Sequence, residues 1–241
     1  YGDDRFSVGE YPENNIKVSA IIPVAGSGHR FGEAKQFKSL AGRPLLFHSL
    51  KPFLESSIIQ EVIVVVPDYQ TTSIQPDLMS MSAGKPITGI AGGVRRQDSV
   101  ENGVSASSSS ANLICIHDAV RPFVNEELIK KSLEIINNHD GVILALPSSD
   151  TIKKVFQNQI METIPRETIW RAQTPQIFFK GPLLEALEFA KSKNISGTDE
   201  ASLLEKIGYQ IGFVEGSPLN IKITTAEDRI FAKAIYNYIN Q

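Results

Sequence analysis

The chain has 241 residues, and its 24 Lys and Arg against 27 Asp and Glu give a formal net charge of −3 at pH 7. This slightly acidic balance argues against nucleic acid or an anionic membrane surface as a partner, and no apolar run is long enough to predict a transmembrane helix. The single cysteine, Cys115, excludes a disulfide framework within the chain and a metal site built from several cysteines. Residues 1–16 lack the apolar core of a secretory signal and are predicted to be a flexible lead-in to one domain over residues 17–241.

Apolar runs typical of strands alternate with segments of helical spacing along the first part of the chain. Residues 70–88 lack either pattern and are predicted to be irregular. Strands are predicted over residues 18–24, 61–66, 113–116 and 141–146, and helices over residues 45–54, 97–104 and 126–136. This alternation is typical of βαβ units, so the sequence predicts an α/β fold with a mostly parallel twisted sheet covered by helices on both faces.

The alternation stops after the fourth predicted strand. Two short strands, residues 151–155 and 160–164, flank Gln157-Asn158-Gln159 and predict a protruding β-hairpin arm over about residues 148–170. The remaining predictions are helices near 181–192 and 199–206, a strand near 209–214, an alternating segment at 220–224 and a closing helix from about 226.

Three polar or glycine-rich loops follow predicted strands, at residues 25–36, 92–99 and 117–122. Ligands of parallel sheets bind beyond the carboxyl ends of the strands, where these loops are expected to converge. The glycine spacing of the first loop matches neither the dinucleotide nor the Walker A pattern. Its backbone N–H groups, with Arg30 and Lys35 close behind, suit a polyphosphate, although a tight surface turn with two solvated charges remains the alternative.

The other candidate residues each allow a functional and a structural interpretation. The glycine pair ending at Gly93 permits close backbone approach, and Ser99 can bind a nucleotide or cap the following helix. Asp118 is placed to hold a divalent cation with substrate phosphates, or to pair with Arg121. Lys222 lies in the alternating segment, where it faces either a substrate or solvent. No arrangement typical of a protein nucleophile is found.

Ten short stretches occur in a fixed order over about residues 17–239. They are Ala25-Gly26-Ser27-Gly28-His29-Arg30, Lys35-Gln36, Gly92-Gly93, Arg96 with Asp98-Ser99-Val100, His117-Asp118-Ala119-Val120-Arg121-Pro122, Asp150-Thr151-Ile152-Lys153, Arg166 with Trp170, Gln173-Thr174-Pro175-Gln176, Thr198-Asp199-Glu200-Ala201-Ser202 and Asn220-Ile221-Lys222-Ile223-Thr224. Together they resemble the 2-C-methyl-D-erythritol 4-phosphate cytidylyltransferases of the non-mevalonate isoprenoid pathway.

The resemblance implies a Rossmann-like nucleotidyltransferase fold, CTP and methylerythritol phosphate as substrates, Mg²⁺ and release of pyrophosphate. It also implies an arm that crosses into a neighbouring subunit, hence a homodimer, in a bacterial cytoplasm or a plastid stroma. The implied site residues are Arg30 and Lys35 for catalysis; Arg166, Lys222, Thr151, Arg121, Thr174 and Thr198 for substrate binding; and Ala25, Gly26, Gly28, Gly93, Ser99 and Asp118 for the nucleotide, with Asp118 also beside the metal.

Two other functions stay open on the sequence. A ribitol-5-phosphate cytidylyltransferase, a related enzyme of the same fold, would suit residues 117–123 and 220–225 nearly as well, whereas residues 166–170 and 198–202 favour methylerythritol phosphate. A NAD-binding or non-catalytic Rossmann domain is the more distant alternative. It would need an acidic residue about 20 positions after the glycines, and none stands there at the end of a strand.

Overall fold

The structure is a computed structural model that describes residues 16–25, 37–82 and 84–241. Its strands are β1 (Val18–Pro23), β2 (Ser39–Leu40), β3 (Arg43–Pro44), β4 (Ile59–Val66), β5 (Ile87–Ala91), β6 (Leu113–Ile116), β7 (Gly141–Pro147), β8 (Ile152–Phe156), β9 (Gln159–Ile164), β10 (Trp170–Phe179) and β11 (Ile211–Glu215). Its helices are α1 (Leu45–Glu55), α2 (Thr71–Met81), α3 (Arg96–Ala106), α4 (Glu126–Glu134), α5 (Lys180–Ser192), α6 (Ala201–Lys206) and α7 (Ala226–Ile239).

A seven-stranded sheet in the order β11-β7-β10-β6-β1-β4-β5 forms the centre of the described chain. Strand β1 pairs in parallel with β4 and β6, β4 pairs in parallel with β5, and β11 pairs in parallel with β7. Strand β10 is antiparallel to both of its neighbours, β6 and β7. The prediction of an α/β fold with a mostly parallel sheet is therefore confirmed.

Apolar layers on both faces of the sheet explain why central strands such as β1 and β6 are mostly apolar. Side chains alternate between the faces, so Ala20 and Ile22 of β1 join one cluster while Ile21 joins the other. The first cluster includes α1, α2 and α4, and the second includes α3, α5 and α6. Among the described residues, no helix is long and apolar enough to cross a membrane.

The prediction that residues 70–88 are irregular is wrong. This stretch contains all of α2 and the start of β5, and Ile74 and Leu78 of α2 are buried against the sheet one helical turn apart. Pro76 hid the pattern because proline usually ends a helix, but here it lies on the exposed side. Packing of one narrow apolar stripe outweighs the weak local helical preference.

Strand β10 was not predicted, and residues 220–224, predicted as an alternating segment, form no strand. Pro175 interrupts the pattern of β10, and the pairing with β7 shifts register between Gln173 and Gln176. Such an irregularity accommodates a proline that cannot donate a ladder hydrogen bond. Residues 220–224 instead lie against the loop after β6, where Ile223 N–H donates to Val120 O at 2.9 Å.

The hairpin is confirmed as the antiparallel pair β8 and β9, which forms a sheet of its own. Its turn holds only Gln157 and Asn158, both with positive φ, and Gln159 already belongs to β9. Two successive left-handed residues are what a tight two-residue hairpin turn requires. Most side chains along the hairpin are exposed, including the apolar ones of Val155 and Ile160.

Candidate functional site

The nucleotide-loop candidates that the structure describes meet at the carboxyl ends of β1, β4 and β5. Ala25 N–H donates to Val65 O at 2.8 Å, which ties the end of β1 to β4. A Cβ on Gly92 would lie 2.4 Å from Cβ of Ala25 and 2.7 Å from Oγ of Ser99, so only glycine fits there. Gly92 therefore lets these two loops pack closely, and the approach of a nucleotide to this backbone stays a prediction. Gly26, Gly28, Arg30 and Lys35 lie outside the described residues.

The Ser99 hydroxyl holds the glycine loop in place. It accepts a hydrogen bond from Gly93 N–H at 3.1 Å and donates one to Arg95 O at 3.1 Å. Capping of α3 falls to another residue, because the Asp98 carboxylate accepts from the N–H of Arg95 at the N-cap position. The alternative that Ser99 caps this helix is therefore wrong, and the nucleotide role stays a prediction.

The Asp118 carboxylate lies at the centre of a cluster of three cations. Lys222 Nζ is 2.9 Å from Asp118 Oδ2, Arg121 Nε is 3.5 Å from the same oxygen, and Arg96 Nε is 3.5 Å from Oδ1. The pair of Asp118 with Arg121 is therefore confirmed, although Asp118 also meets residues from two other segments, and its role as a cation ligand stays a prediction. The cluster carries more positive than negative charge, which suits phosphate groups.

The cluster keeps Asp118 ionised. Burial by itself would raise the pKa of this carboxyl group, but the nearby charges of Arg96, Lys222 and Arg121 hold it well below its usual range. The Lys222 side chain is 44 % exposed, whereas the Asp118 side chain is only 10 % exposed. The lysine therefore presents its ammonium group at the surface with its position set by a buried carboxylate.

Sequence reasoning missed a second buried carboxylate, Glu200, whose side chain is 1 % exposed. Arg96 Nη1 lies 2.7 Å from one of its oxygens and 2.9 Å from the other. Burial raises the pKa of Glu200, and the Arg96 charge opposes that rise. Arg96 and residues 198–202 both belong to the stretches that match the family, which could have indicated Glu200. The sequence prediction named only Thr198 from residues 198–202, and Thr198 is exposed.

His117 and Thr174 anchor the backbone beside the cluster. His117 Nε2 donates to Arg121 O at 3.0 Å, since a carbonyl oxygen can only accept, and the neutral ring then accepts at Nδ1 from the Thr174 hydroxyl at 3.0 Å. Thr174 Oγ1 in turn accepts from the backbone N–H of Asp118 at 3.0 Å. Burial lowers the pKa of His117 to about 4, so the ring is neutral at pH 7. The Thr174 hydroxyl is thus engaged within the protein.

Buried polar contacts bring the segment around Lys222 to Asp118. Arg121 Nη1 donates to Asn220 O at 2.8 Å, and Asn220 Nδ2 donates to Thr174 O at 2.9 Å. Both Arg121 and Asn220 are buried. These contacts fix the backbone two residues before Lys222. They explain how a segment that belongs to no strand holds a lysine in a defined place.

The arm residues do not join this cluster within the chain. Arg166 lies in a short 3₁₀ helix after β9 and donates from Nη1 to Ser149 O at 2.9 Å. Thr151 precedes β8 and is exposed. In the part of the chain that the structure describes, neither makes a hydrogen bond or ion pair with Asp118 or its cations.

The described residues supply little for a metal ion by themselves. Residues 16–25, 37–82 and 84–241 contain no group of three or more His, Cys, Asp or Glu able to hold one. Asp118 is ionised and offers hard oxygen atoms, but both oxygens already face cations. This donor set fits a Mg²⁺ ion that takes most of its ligands from substrate phosphates and water, which is the usual binding mode of Mg²⁺ at nucleotide sites.

Comparison with known proteins extends the similarity over nearly the whole chain. The family model described as IspD, 2-C-methyl-D-erythritol 4-phosphate cytidylyltransferase, matches residues 18–238. The protein of that name from Geotalea uraniireducens is 38 % identical over 230 residues, covering 93 % of this chain and 99 % of the relative. The one from Aquifex aeolicus is 40 % identical over 218 residues, covering 90 % and 96 %.

Solved structures agree with the fold. The crystal structure of 4-diphosphocytidyl-2C-methyl-D-erythritol synthase from Anaerococcus prevotii superposes with a TM-score of 0.83 at 30 % identity, covering 94 % of this chain and all (100 %) of that one. The Thermus thermophilus 2-C-methyl-D-erythritol 4-phosphate cytidylyltransferase gives a TM-score of 0.76 at 32 % identity, covering 92 % and 100 %. The chain belongs to the 2-C-methyl-D-erythritol 4-phosphate cytidylyltransferase family.

Proposed function

We propose that the protein transfers CMP from CTP to 2-C-methyl-D-erythritol 4-phosphate, giving 4-diphosphocytidyl-2-C-methyl-D-erythritol and pyrophosphate. The family match over residues 18–238 carries this proposal. The cation cluster around Asp118, at the carboxyl edge of a mostly parallel sheet, agrees with it because that edge is where such folds bind nucleotides and phosphates. The ribitol phosphate and NAD-binding alternatives are not favoured, since the relatives named above carry the methylerythritol phosphate name.

The reaction needs charge stabilisation more than a protein nucleophile. A phosphate oxygen of the sugar substrate attacks the α-phosphorus of CTP, the bond from that phosphorus to the bridging oxygen breaks, and pyrophosphate leaves. The attacking phosphate is already largely dianionic near pH 7, because its second pKa is about 6, so no general base is required. Negative charge develops on phosphoryl oxygens, which positioned cations stabilise.

Roles for individual residues follow from the family resemblance and from their positions. Arg30 and Lys35 stabilise the charge that develops at the α-phosphoryl group. Lys222 binds the sugar phosphate, since its ammonium group is exposed beside Asp118. The nucleotide contacts belong to Ala25, Gly26, Gly28, Gly93 and Ser99, the sugar phosphate contacts to Thr151, Arg166 and Thr198, and the support of the cluster to Arg121 and Thr174.

Asp118 would be the ligand from the protein for a Mg²⁺ ion bound with the triphosphate. The lowered pKa of Asp118 supports this role because the carboxylate is charged near neutral pH. When bound, the ion neutralises part of the charge on the phosphates. Its other ligands would be phosphate oxygens and water, since Asp118 is the one acidic side chain of the cation cluster that is not fully buried.

The working unit is a homodimer built from single domains over residues 17–241, in which the arm over about residues 148–170 reaches the site of the other subunit. Exposed apolar side chains on the arm support this, because Val155, Phe156, Ile160 and Met161 are each more than half exposed in the isolated chain. Arg166 and Thr151 would complete the partner's site. Bacterial relatives favour the bacterial cytoplasm over a plastid stroma as the compartment.

The proposed function is tested by measuring pyrophosphate release with purified protein, CTP and Mg²⁺. Methylerythritol phosphate is expected to support turnover, whereas ribitol 5-phosphate is expected to support little. Replacing CTP with UTP, ATP or GTP is expected to abolish most of the activity, since the base pocket is formed by backbone groups near Ala25 and Gly93. Turnover with ribitol 5-phosphate alone would overturn the assignment, and equal turnover with UTP would remove the claim of nucleotide specificity.

A further inference from the structure

Arg96 bridges two carboxylates that differ sharply in their surroundings. Its Nη1 lies 2.7 and 2.9 Å from the two oxygens of Glu200, while its Nε lies 3.5 Å from Oδ1 of Asp118. Glu200 is 1 % exposed and Asp118 is 10 % exposed. The closer contacts therefore go to the carboxylate that no substrate can reach.

We infer that Glu200 is a positioning residue for the substrate-binding cluster and acts on it through Arg96. The other two cations around Asp118 have their positions set differently. Arg121 is tied to Asn220 O, and Lys222 is the exposed group in contact with Oδ2. Of its two carboxylate contacts, Arg96 makes short hydrogen bonds to Glu200. Its distance to Asp118 is too long for a strong hydrogen bond.

The reason is a competition for the oxygens of Asp118. Without the charge of Glu200, Asp118 would be the carboxylate left in ion-pair contact with the Arg96 guanidinium, which would turn to make a two-pronged pair with it. That pair would occupy Oδ2, which Lys222 now contacts at 2.9 Å. Lys222 would then lose the anchor that fixes its ammonium group. The charge of Glu200 also lowers the net positive charge around Asp118 from two to one, counting three cations against the two carboxylates.

This inference rests on the proposed function and is tested with steady-state kinetics of the full-length protein. Glu200→Gln keeps the shape of the side chain but removes its charge. It is expected to raise the KM for methylerythritol phosphate about tenfold or more, because small displacements of a positioning group cost one to two decades. The KM for CTP is expected to change less. If the wild-type protein does not turn over methylerythritol phosphate, the proposed function fails. If the wild-type protein is active and Glu200→Gln has the same KM values, this inference fails.

A matched control is available on α3, the helix that carries Arg96. Glu101 lies on α3 and pairs with Lys191 of α5 at 2.7 Å, so it joins α3 to its neighbour without touching Asp118. Glu101→Gln is expected to leave both KM values unchanged. A fall in thermal stability of Glu200→Gln with unchanged kinetics would mean that Glu200 only stabilises the fold, and would overturn the inference.

A double-mutant cycle tests the route through Arg96. If Glu200 acts through the guanidinium, adding Glu200→Gln to Arg96→Gln should cause no further change in KM. A full additional tenfold rise in that background would contradict the inference. Should Glu200→Gln fail to fold, Glu200→Asp serves in its place, since it keeps the charge but draws the carboxylate back by one methylene. It is expected to raise the same KM by a smaller factor, and a wild-type KM would count against the inference.

Discussion

Lys222 Nζ lies 2.9 Å from Oδ2 of Asp118, although the two residues are far apart along the chain. Asp118 follows strand β6, and Lys222 lies shortly before helix α7. The carboxylate is buried and the ammonium group is 44 % exposed. This pair therefore links the interior of the sheet edge to the surface where a phosphate would bind.

Lys222→Ala is expected to raise the KM for methylerythritol phosphate about 10- to 100-fold, because a hydrogen bond to a charged group contributes about 1.5–3 kcal/mol. Substrate titrations at saturating CTP measure it. Lys130→Ala is the control, since Lys130 is also about half exposed and paired with a carboxylate, that of Glu126, but on α4. Unchanged KM and kcat for Lys222→Ala would make this residue a solvent-exposed lysine only.

Gly92→Ala is expected to raise the KM for CTP about tenfold or more, since the new Cβ would lie 2.4 Å from that of Ala25 and push the nucleotide loops apart. The KM for the sugar phosphate should change less. Gly181→Ala is the matched control, because a Cβ there meets no atom within 4 Å. A wild-type KM for CTP in Gly92→Ala would show that the nucleotide does not depend on this close approach.

His117 predicts a loss of stability in mild acid. Burial lowers its pKa to about 4 from 6.5, so between these pH values the unfolded chain binds a proton that the folded chain does not. The free energy of unfolding should therefore fall as pH drops from 6.5 to 4, by up to about 3 kcal/mol from this group. Urea unfolding of wild type and His117→Gln at pH 7 and 4.5 measures it. Parallel pH dependences in the two proteins would contradict the prediction.

Arg166→Ala is expected to impair use of the sugar phosphate, and mixing experiments can show whose site it serves. If the arm crosses between subunits, a heterodimer of Arg166→Ala with Lys222→Ala contains one intact site. Unfolding and refolding the two variants together should then restore activity at about one quarter of the sites, by random pairing of subunits. Activity equal to the mean of the two separate variants, or a monomer in solution, would show that the arm does not cross.

Lys35→Ala is expected to lower kcat and kcat/KM together by about two to three decades, or about 3–4 kcal/mol, because its charge is needed mainly in the transition state. CTP binding should be less affected. Lys35→Arg should recover only part of the loss, since a guanidinium does not reproduce a point charge. A variant that keeps more than about a third of the wild-type kcat would leave the charge stabilisation to Arg30.

Local sequence pattern was enough to predict fully buried strands such as β1 and β6, and to predict the hairpin of the arm. The prediction of residues 113–116 as a strand matches β6, because a strand covered on both sides must be apolar throughout. The hairpin followed from turn residues between two short runs. Helix α2 and strand β10 were not predicted because Pro76 and Pro175 interrupt their patterns. Packing against the sheet stabilises α2, and pairing with β6 and β7 stabilises β10.

The sequence by itself determined the α/β fold class and the family, because these depend on periodicity and ordered motifs, and it left the pair of Asp118 with Arg121 as one of two interpretations. Only the tertiary structure decided that Lys222 and Arg96 both contact Asp118 and that Arg96 also pairs with the buried Glu200. It also decided that the Thr174 hydroxyl is engaged with His117 and Asp118. The physical reason is that such contacts depend on how distant strands and loops are arranged around the sheet, and a charged side chain carries no local signal of which distant charge it will meet.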